Sequence, residues 1–193
     1  MDSQTILETI FVIHIKQLKN LGVDNQKVLV LFSGISGSGK SFIAKRLEEK
    51  YKGIRINNDD IRDIIKNIVT PEIDEQKILL EYLAYLLEKI PKNNGFIIMD
   101  SSIDRKLKFV QDYAIKNDFK TFTIRIDLPR ETIIKNILKR NEKEAAPYLA
   151  DLDRQTNDHK AIIPKITTDY AISEDNFNRF EELFAAIDRR QAS

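Results

Sequence analysis

Residues 28–45 read Val28-Leu29-Val30-Leu31-Phe32-Ser33-Gly34-Ile35-Ser36-Gly37-Ser38-Gly39-Lys40-Ser41-Phe42-Ile43-Ala44-Lys45. The first six are apolar and β-branched enough to predict a buried strand. Residues 34–41 meet every fixed position of the pattern G-x-x-x-x-G-K-[ST]. Helix formers follow and begin a 3.6-residue apolar period. Strand, glycine loop and helix therefore come in the order that a phosphate cradle needs. Bare glycines let the backbone approach a ligand, successive N–H groups form an anion nest, and the following helix adds its positive end. The expected nucleotide-binding set is Gly34, Ser36, Gly37, Ser38, Gly39, Lys40, Ser41 and Phe42. Lys40 would reach the β- and γ-phosphates, and Ser41 would offer its hydroxyl to Mg²⁺.

The surrounding chain is 193 residues long, enough for one α/β domain with a sizeable core. Its 31 basic and 30 acidic residues nearly cancel, so no global field draws it to nucleic acid or a membrane. Without cysteine it has neither disulfides nor thiolate metal sites. No apolar run reaches membrane-spanning length, and the start lacks a basic leader. The expectation is a soluble, cytoplasmic protein forming one domain over residues 1–193.

Residues 3–20 predict an amphipathic helix with Leu7, Phe11, His14 and Leu18 on one face and Ile6, Ile10 and Ile13 beside it. His14 reads as a packed histidine, and Gly22 as the helix stop. Residues 1–26 are thus a helical extension ahead of the first strand. After the glycine loop, residues 41–52 continue as a helix. Ile54 and Ile56 suggest a short second strand, and Asp59, Asp60 and Arg62 emerge at its carboxyl end, where open parallel sheets bind ligands. Either carboxylate suits proton abstraction from an acceptor hydroxyl, and Arg62 suits an anionic acceptor. The competing reading is a helix start capped by Asn58 or Asp59.

Thr70-Pro71-Glu72 suggests a threonine-capped helix whose core side holds Leu79, Leu83, Leu86 and Ile90. Residues 96–100, Phe-Ile-Ile-Met-Asp, predict a buried strand that delivers Asp100 to the same edge. Asp100 reads as a metal-supporting carboxylate, a cap for the next helix, or an ion-pair partner of Arg62. Residues 102–117 predict a helix and residues 120–127 a strand. Pro129 opens a helix through Asn141 with Ile133, Ile134, Ile137 and Leu138 inward. Residues 139–164 read as a polar lid whose basic members include Lys143, Arg154, His159 and Lys160, with His159 solvated. Residues 169–173 predict the last strand. Phe177, Phe180, Phe184 and Ile187 mark a closing helix, the aromatic stripe reading as core.

In their order along the chain, the glycine loop, Asn57-Asn58-Asp59-Asp60-Ile61-Arg62, residues 96–100 and Leu138-Lys139-Arg140-Asn141 resemble AAA-type P-loop kinases of the polynucleotide 5′-kinase and zeta-toxin-like group. The resemblance spans residues 27–173. It implies an α/β three-layer sandwich around a five-stranded parallel sheet of order 2-3-1-4-5, with the N-terminal helix as an addition and a short helical lid. It implies Asp59 as the acceptor-activating base, Arg62 as the grip on the acceptor's phosphate, Asp100 as support for the metal or Arg62, and Arg140 as a lid arginine on the ATP phosphates. Catalysis would then rest on Lys40, Asp59 and Arg140, and metal binding on Ser41 and Asp100. One departure stands out: polynucleotide kinases carry a basic residue one turn past the lid arginine, where this chain has Glu144.

D-x-x-G and N-K-x-D are absent, which argues against a switch GTPase. No basic stripe with interleaved aromatics offers a single-strand track. The expected activity is Mg²⁺-dependent transfer of the ATP γ-phosphoryl group to a hydroxyl on a nucleotide, a polynucleotide 5′ end or a small metabolite. A non-catalytic ATP-sensing module and a nucleotide-sugar kinase are the alternatives.

Overall fold

The computed structural model describes residues 2–18, 27–70, 73–90, 95–139 and 142–192, without the side chains of 142–144. In chain order the elements are α1 (Ser3–Ile15), β1 (Val28–Ser33), α2 (Lys40–Tyr51), β2 (Ile54–Asn57), α3 (Asn58–Ile68), α4 (Glu75–Lys89) and β3 (Phe96–Ser102). Then come α5 (Leu107–Lys116), β4 (Lys120–Ile126), α6 (Arg130–Leu138), α7 (Glu142–Ala150), α8 (Leu152–Ile162), β5 (Tyr170–Ile172) and α9 (Phe180–Ala192). The five strands are parallel and lie in the order β2-β3-β1-β4-β5, as the family resemblance implies.

Every residue of β1 is buried, because the central strand is covered on both faces. Side chains alternate across it. Leu29 and Leu31 join Ile54, Ile56, Ile97 and Met99 in a core shared with α1, α3, α4 and α5. Val28, Val30 and Phe32 join Phe96, Ile98, Phe122 and Ile124 under α2 and α9. A third cluster of Ile35, Ile133, Ile137, Ala145 and Leu152 seats α6, α7 and α8 beside the glycine loop.

α1 begins at an Asp2 cap and packs Ile6, Leu7 and Ile10 into the first core, so the N-terminal helix is an integral wall. His14 is buried there, with Nδ1 2.9 Å from the Tyr82 hydroxyl. Burial pulls its pKa down to about 4 and keeps the ring neutral. The helix stop expected at Gly22 lies outside the described residues.

Two expected boundaries and one expected burial differ in the structure. α4 is capped by Asp74, whose carboxylate accepts from the amides of Gln76 and Lys77; Thr70 does not cap it. The helix expected from Ser102 starts at Leu107, because β3 stays in the sheet longer. Pairing passes from Val30 with Ile98 to Phe32 with Ser102, an irregularity in β3, and the Ile103 amide still donates to the Phe32 carbonyl. Leu138, expected inward, is exposed at the end of α6, whereas Ile133 and Ile137 are buried.

Candidate active site

The glycine loop needs glycine at two positions. Gly39 holds φ 93°, and a β-carbon there would stand 2.5 Å from the Phe177 ring. Gly37 holds φ 81°, with a β-carbon position 2.8 Å from Ile137 Cγ1. Lys40 Nζ donates to the carbonyls of Gly34 at 2.9 Å and Ile35 at 2.7 Å. The Ser36 amide donates to Oε1 of Gln155 on α8, at 2.9 Å. Asn136 on α6 donates to the Gly37 carbonyl. Ser38 is fully buried, and its hydroxyl has no hydrogen-bond partner among the described residues.

A cavity of about 1010 Å³ opens from this loop. It is lined by Gly34, Ser36, Gly37, Gly39, Lys40, Ser41 and Phe42, and also by Asp59, Arg62 and Asp100. Of the expected site residues that are described, Ser38 alone does not face it. Arg140 lies outside the described residues.

Asn57 caps α3, accepting from the Asp59 and Asp60 amides at 2.7 and 3.3 Å, so the cap is neither Asn58 nor Asp59. That frees the Asp59 carboxylate, which lines the cavity and accepts from Arg62 at 3.1 Å. Arg62 is held from α4 as well, 3.6 Å from Glu75 and donating to Gln76. Asp60 instead lies 3.6 Å from Arg55. Burial pushes its carboxyl up, against the pull of Arg55.

Asp100 is 4% exposed. Its Oδ2 accepts from Arg55 at 2.5 Å and from Asn57 at 2.7 Å, so the cation expected to be Arg62 is Arg55. Arg55 is also 3.3 Å from Glu48 on α2. Asp100 Oδ1 is buried without a partner among the described residues. Asp100 and Ser41 line one cavity, and a hard cation such as Mg²⁺ takes oxygen donors of this kind with few protein ligands.

Residues 139–164, the segment expected to form a lid, differ most from their expected character. His159 is buried, not solvated. Its Nδ1 lies 3.1 Å from Ser33 and 3.2 Å from Asp104, and Nε2 lies 3.0 Å from Asp127. Ser33 in turn donates to Asp104. Burial pulls the imidazole down, but the hydrogen bonds and charges of Asp104 and Asp127 outweigh it and leave His159 raised. Arg154 pairs with Asp151 and Asp158 of its own segment. The residues of this segment that line the cavity are instead Pro147, Tyr148, Asp151, Gln155 and Asp158.

Sequence reasoning passed over Arg55, Asp104, Lys106, Asp127 and Gln155. Arg55 had a usable signal, since a charge between Ile54 and Ile56 in a doubly covered strand needs a buried partner. The others depend on contacts distant in sequence.

Adenylate kinases from three strains of Mesomycoplasma hyopneumoniae are 29% identical to the chain over 124 residues, or 58% of this chain and 57% of theirs. The chain thus matches little more than half the length of these curated relatives. Among solved structures, the APS kinase of Mycobacterium tuberculosis in complex with AMPPNP and APS superposes with TM-score 0.55 at 16% identity, covering 86% of this chain and 99% of that one. The PezAT chromosomal toxin–antitoxin system of Streptococcus pneumoniae gives 0.61 at 14%, covering 81% and 75%. These likenesses show a shared fold, that of the P-loop NTPases. The AAA-domain family model matches residues 29–162, from the central strand to the end of α8, and the chain belongs to that family.

Proposed function

We propose that the protein is an ATP-dependent phosphotransferase whose acceptor is a hydroxyl group. The observation that carries this reading is the single cavity shared by the glycine loop, Asp59 and Arg62. Lys40 would leave the Gly34 and Ile35 carbonyls for the β- and γ-phosphates, joined by the loop amides of residues 34–41. Asp59 would accept the acceptor's proton as the acceptor oxygen bonds to the γ-phosphorus. The bond from that phosphorus to the β–γ bridging oxygen breaks, and ADP leaves. Arg62 would hold an anionic part of the acceptor. Ser41 and Asp100 would hold Mg²⁺, which neutralises phosphate charge when bound. Residues 139–164 would act as the lid, with Arg140 on the ATP phosphates. The polynucleotide 5′-kinase and zeta-toxin-like subgroup remains the finer expectation within this reading.

A second reading has a specific observation behind it: the 29% identical relatives are named adenylate kinases, which points to a phosphate oxygen as acceptor. The chemistry separates the two. A phosphate oxygen is already ionised and needs no base, whereas a hydroxyl does.

The test is transfer from γ-labelled ATP to 5′-hydroxyl oligonucleotides, nucleosides, nucleoside monophosphates, nucleotide sugars and small alcohols, with each product identified as ester or anhydride. Ester product, and a fall in kcat of about 10²-fold or more for Asp59→Asn with ATP affinity retained, is expected. Anhydride product, or full transfer by that variant, would overturn the hydroxyl reading.

A further inference from the structure

Besides Lys40 of the glycine loop, three described cations line the cavity, and they differ in how they are balanced. Arg62 has Asp59 at 3.1 Å and Glu75 at 3.6 Å. Arg105 has Asp158 at 3.9 Å. Lys106, in the turn between β3 and α5, donates to the Ser101 hydroxyl at 2.7 Å, and among the described residues no carboxylate lies within 4.0 Å of its ammonium. It is half-buried and lines the cavity beside Ser101, Ser102 and Arg105. Burial pulls its pKa down to about 8, and Arg62 and Arg105 add to the effect while Asp59 opposes it.

A desolvated cation without a counter-ion is costly, and the cost is recovered when an oxyanion arrives. Lys106 shares the cavity with Asp59 and Arg62, the residues assigned above to the acceptor. Arg62, Arg105 and Asp59, which line the same cavity, are the charges that act on it. Leu79 and Leu80 supply an apolar stretch of wall to the same cavity. We propose that Lys106 is a specificity-determining residue that selects acceptors carrying a phosphate-type oxyanion near the hydroxyl, binding that oxyanion together with Arg62. The proposal deepens, and rests on, the phosphotransferase reading above.

Two measurements separate the proposal from that reading. In the first, kinetics are compared for matched acceptors with and without a phosphate, such as a nucleoside and its 3′-phosphate. The phosphorylated member is preferred, and Lys106→Met raises its KM about ten- to a hundred-fold, the worth of one charge-assisted hydrogen bond. The ratio of kcat/KM between the two members falls toward one, the KM for ATP rises far less than that of the phosphorylated acceptor, and Lys106→Arg restores part of the preference. A preference that survives in Lys106→Met overturns the proposal.

The second needs no turnover. With AMPPNP saturating the donor site, inorganic phosphate is titrated into protein bearing ¹³C-labelled lysine, the Lys106 signal being assigned by its loss in Lys106→Arg. The signal shifts with phosphate, and its titration midpoint rises above about 8. A signal indifferent to phosphate overturns the anion site even if the enzyme is active. A responsive signal in a protein that labels no acceptor keeps the anion site and overturns the kinase reading instead.

Discussion

Asp59 and Asp60 are adjacent carboxylates with different surroundings. The Asn57 cap orients the first turn of α3 so that Asp59 meets the cavity while Asp60 turns toward Arg55. Asp60→Asn therefore leaves transfer within a few-fold of the parent, in contrast to Asp59→Asn, and steady-state kinetics on the pair measures this directly. Gly39 shows a second residue-level constraint. A β-carbon there meets both a left-handed φ and the Phe177 ring. Gly39→Ala should cost roughly 1–3 kcal/mol of stability, read by urea unfolding. A Phe177→Ala change in the same background recovers only the steric part, because the dihedral strain remains.

At the scale of elements, the strands and the glycine loop were legible because each answers to local pattern: the β1 run, the glycine signature and the β4 alternation. The helix starts were less so. α4 takes its cap from Asp74 rather than Thr70, and β3 outlasts its apolar run because pairing with Phe32 carries it through Ser102. The first is a local contest between two caps; the second depends on a strand distant in sequence. Asp59 and Arg62 could be read from their position after a short strand, but the partner of Asp100 could not, since Arg55 lies on a neighbouring strand. α8 was the largest misreading. Its polar composition suggested a solvated lid, yet Leu152, His159 and Ile162 are buried. His159 is the one polar side chain of α8 pinned to the ends of β1 and β4, through Ser33 and Asp127, and near the end of β3 through Asp104.

Across the whole molecule the two histidines should give opposing pH dependences. His14 binds its proton less readily folded than unfolded, its pKa falling from 6.5 to about 4. Between those values the unfolded chain takes up the proton, so stability drops as the pH falls, by roughly 3 kcal/mol at most. His159 is raised above 6.5 by its carboxylates, so its contribution is full below 6.5 and is lost as the pH rises through its folded value. Urea unfolding across pH should show the acid-side slope flattened in His14→Gln and the loss on the alkaline side removed in His159→Gln. An unchanged profile in both variants would contradict these assignments.

The hydrogen bond between Gln155 and the Ser36 amide has a kinetic consequence. Together with the Lys40 contacts to its own loop, it means an arriving nucleotide must evict partners before it can dock. Observed association rates in stopped flow should therefore climb with ATP and then level off, the plateau reporting how fast the loop sheds Gln155. In Gln155→Ala the plateau rises or disappears. A straight line in the parent protein would mean that this contact yields faster than diffusion delivers ATP.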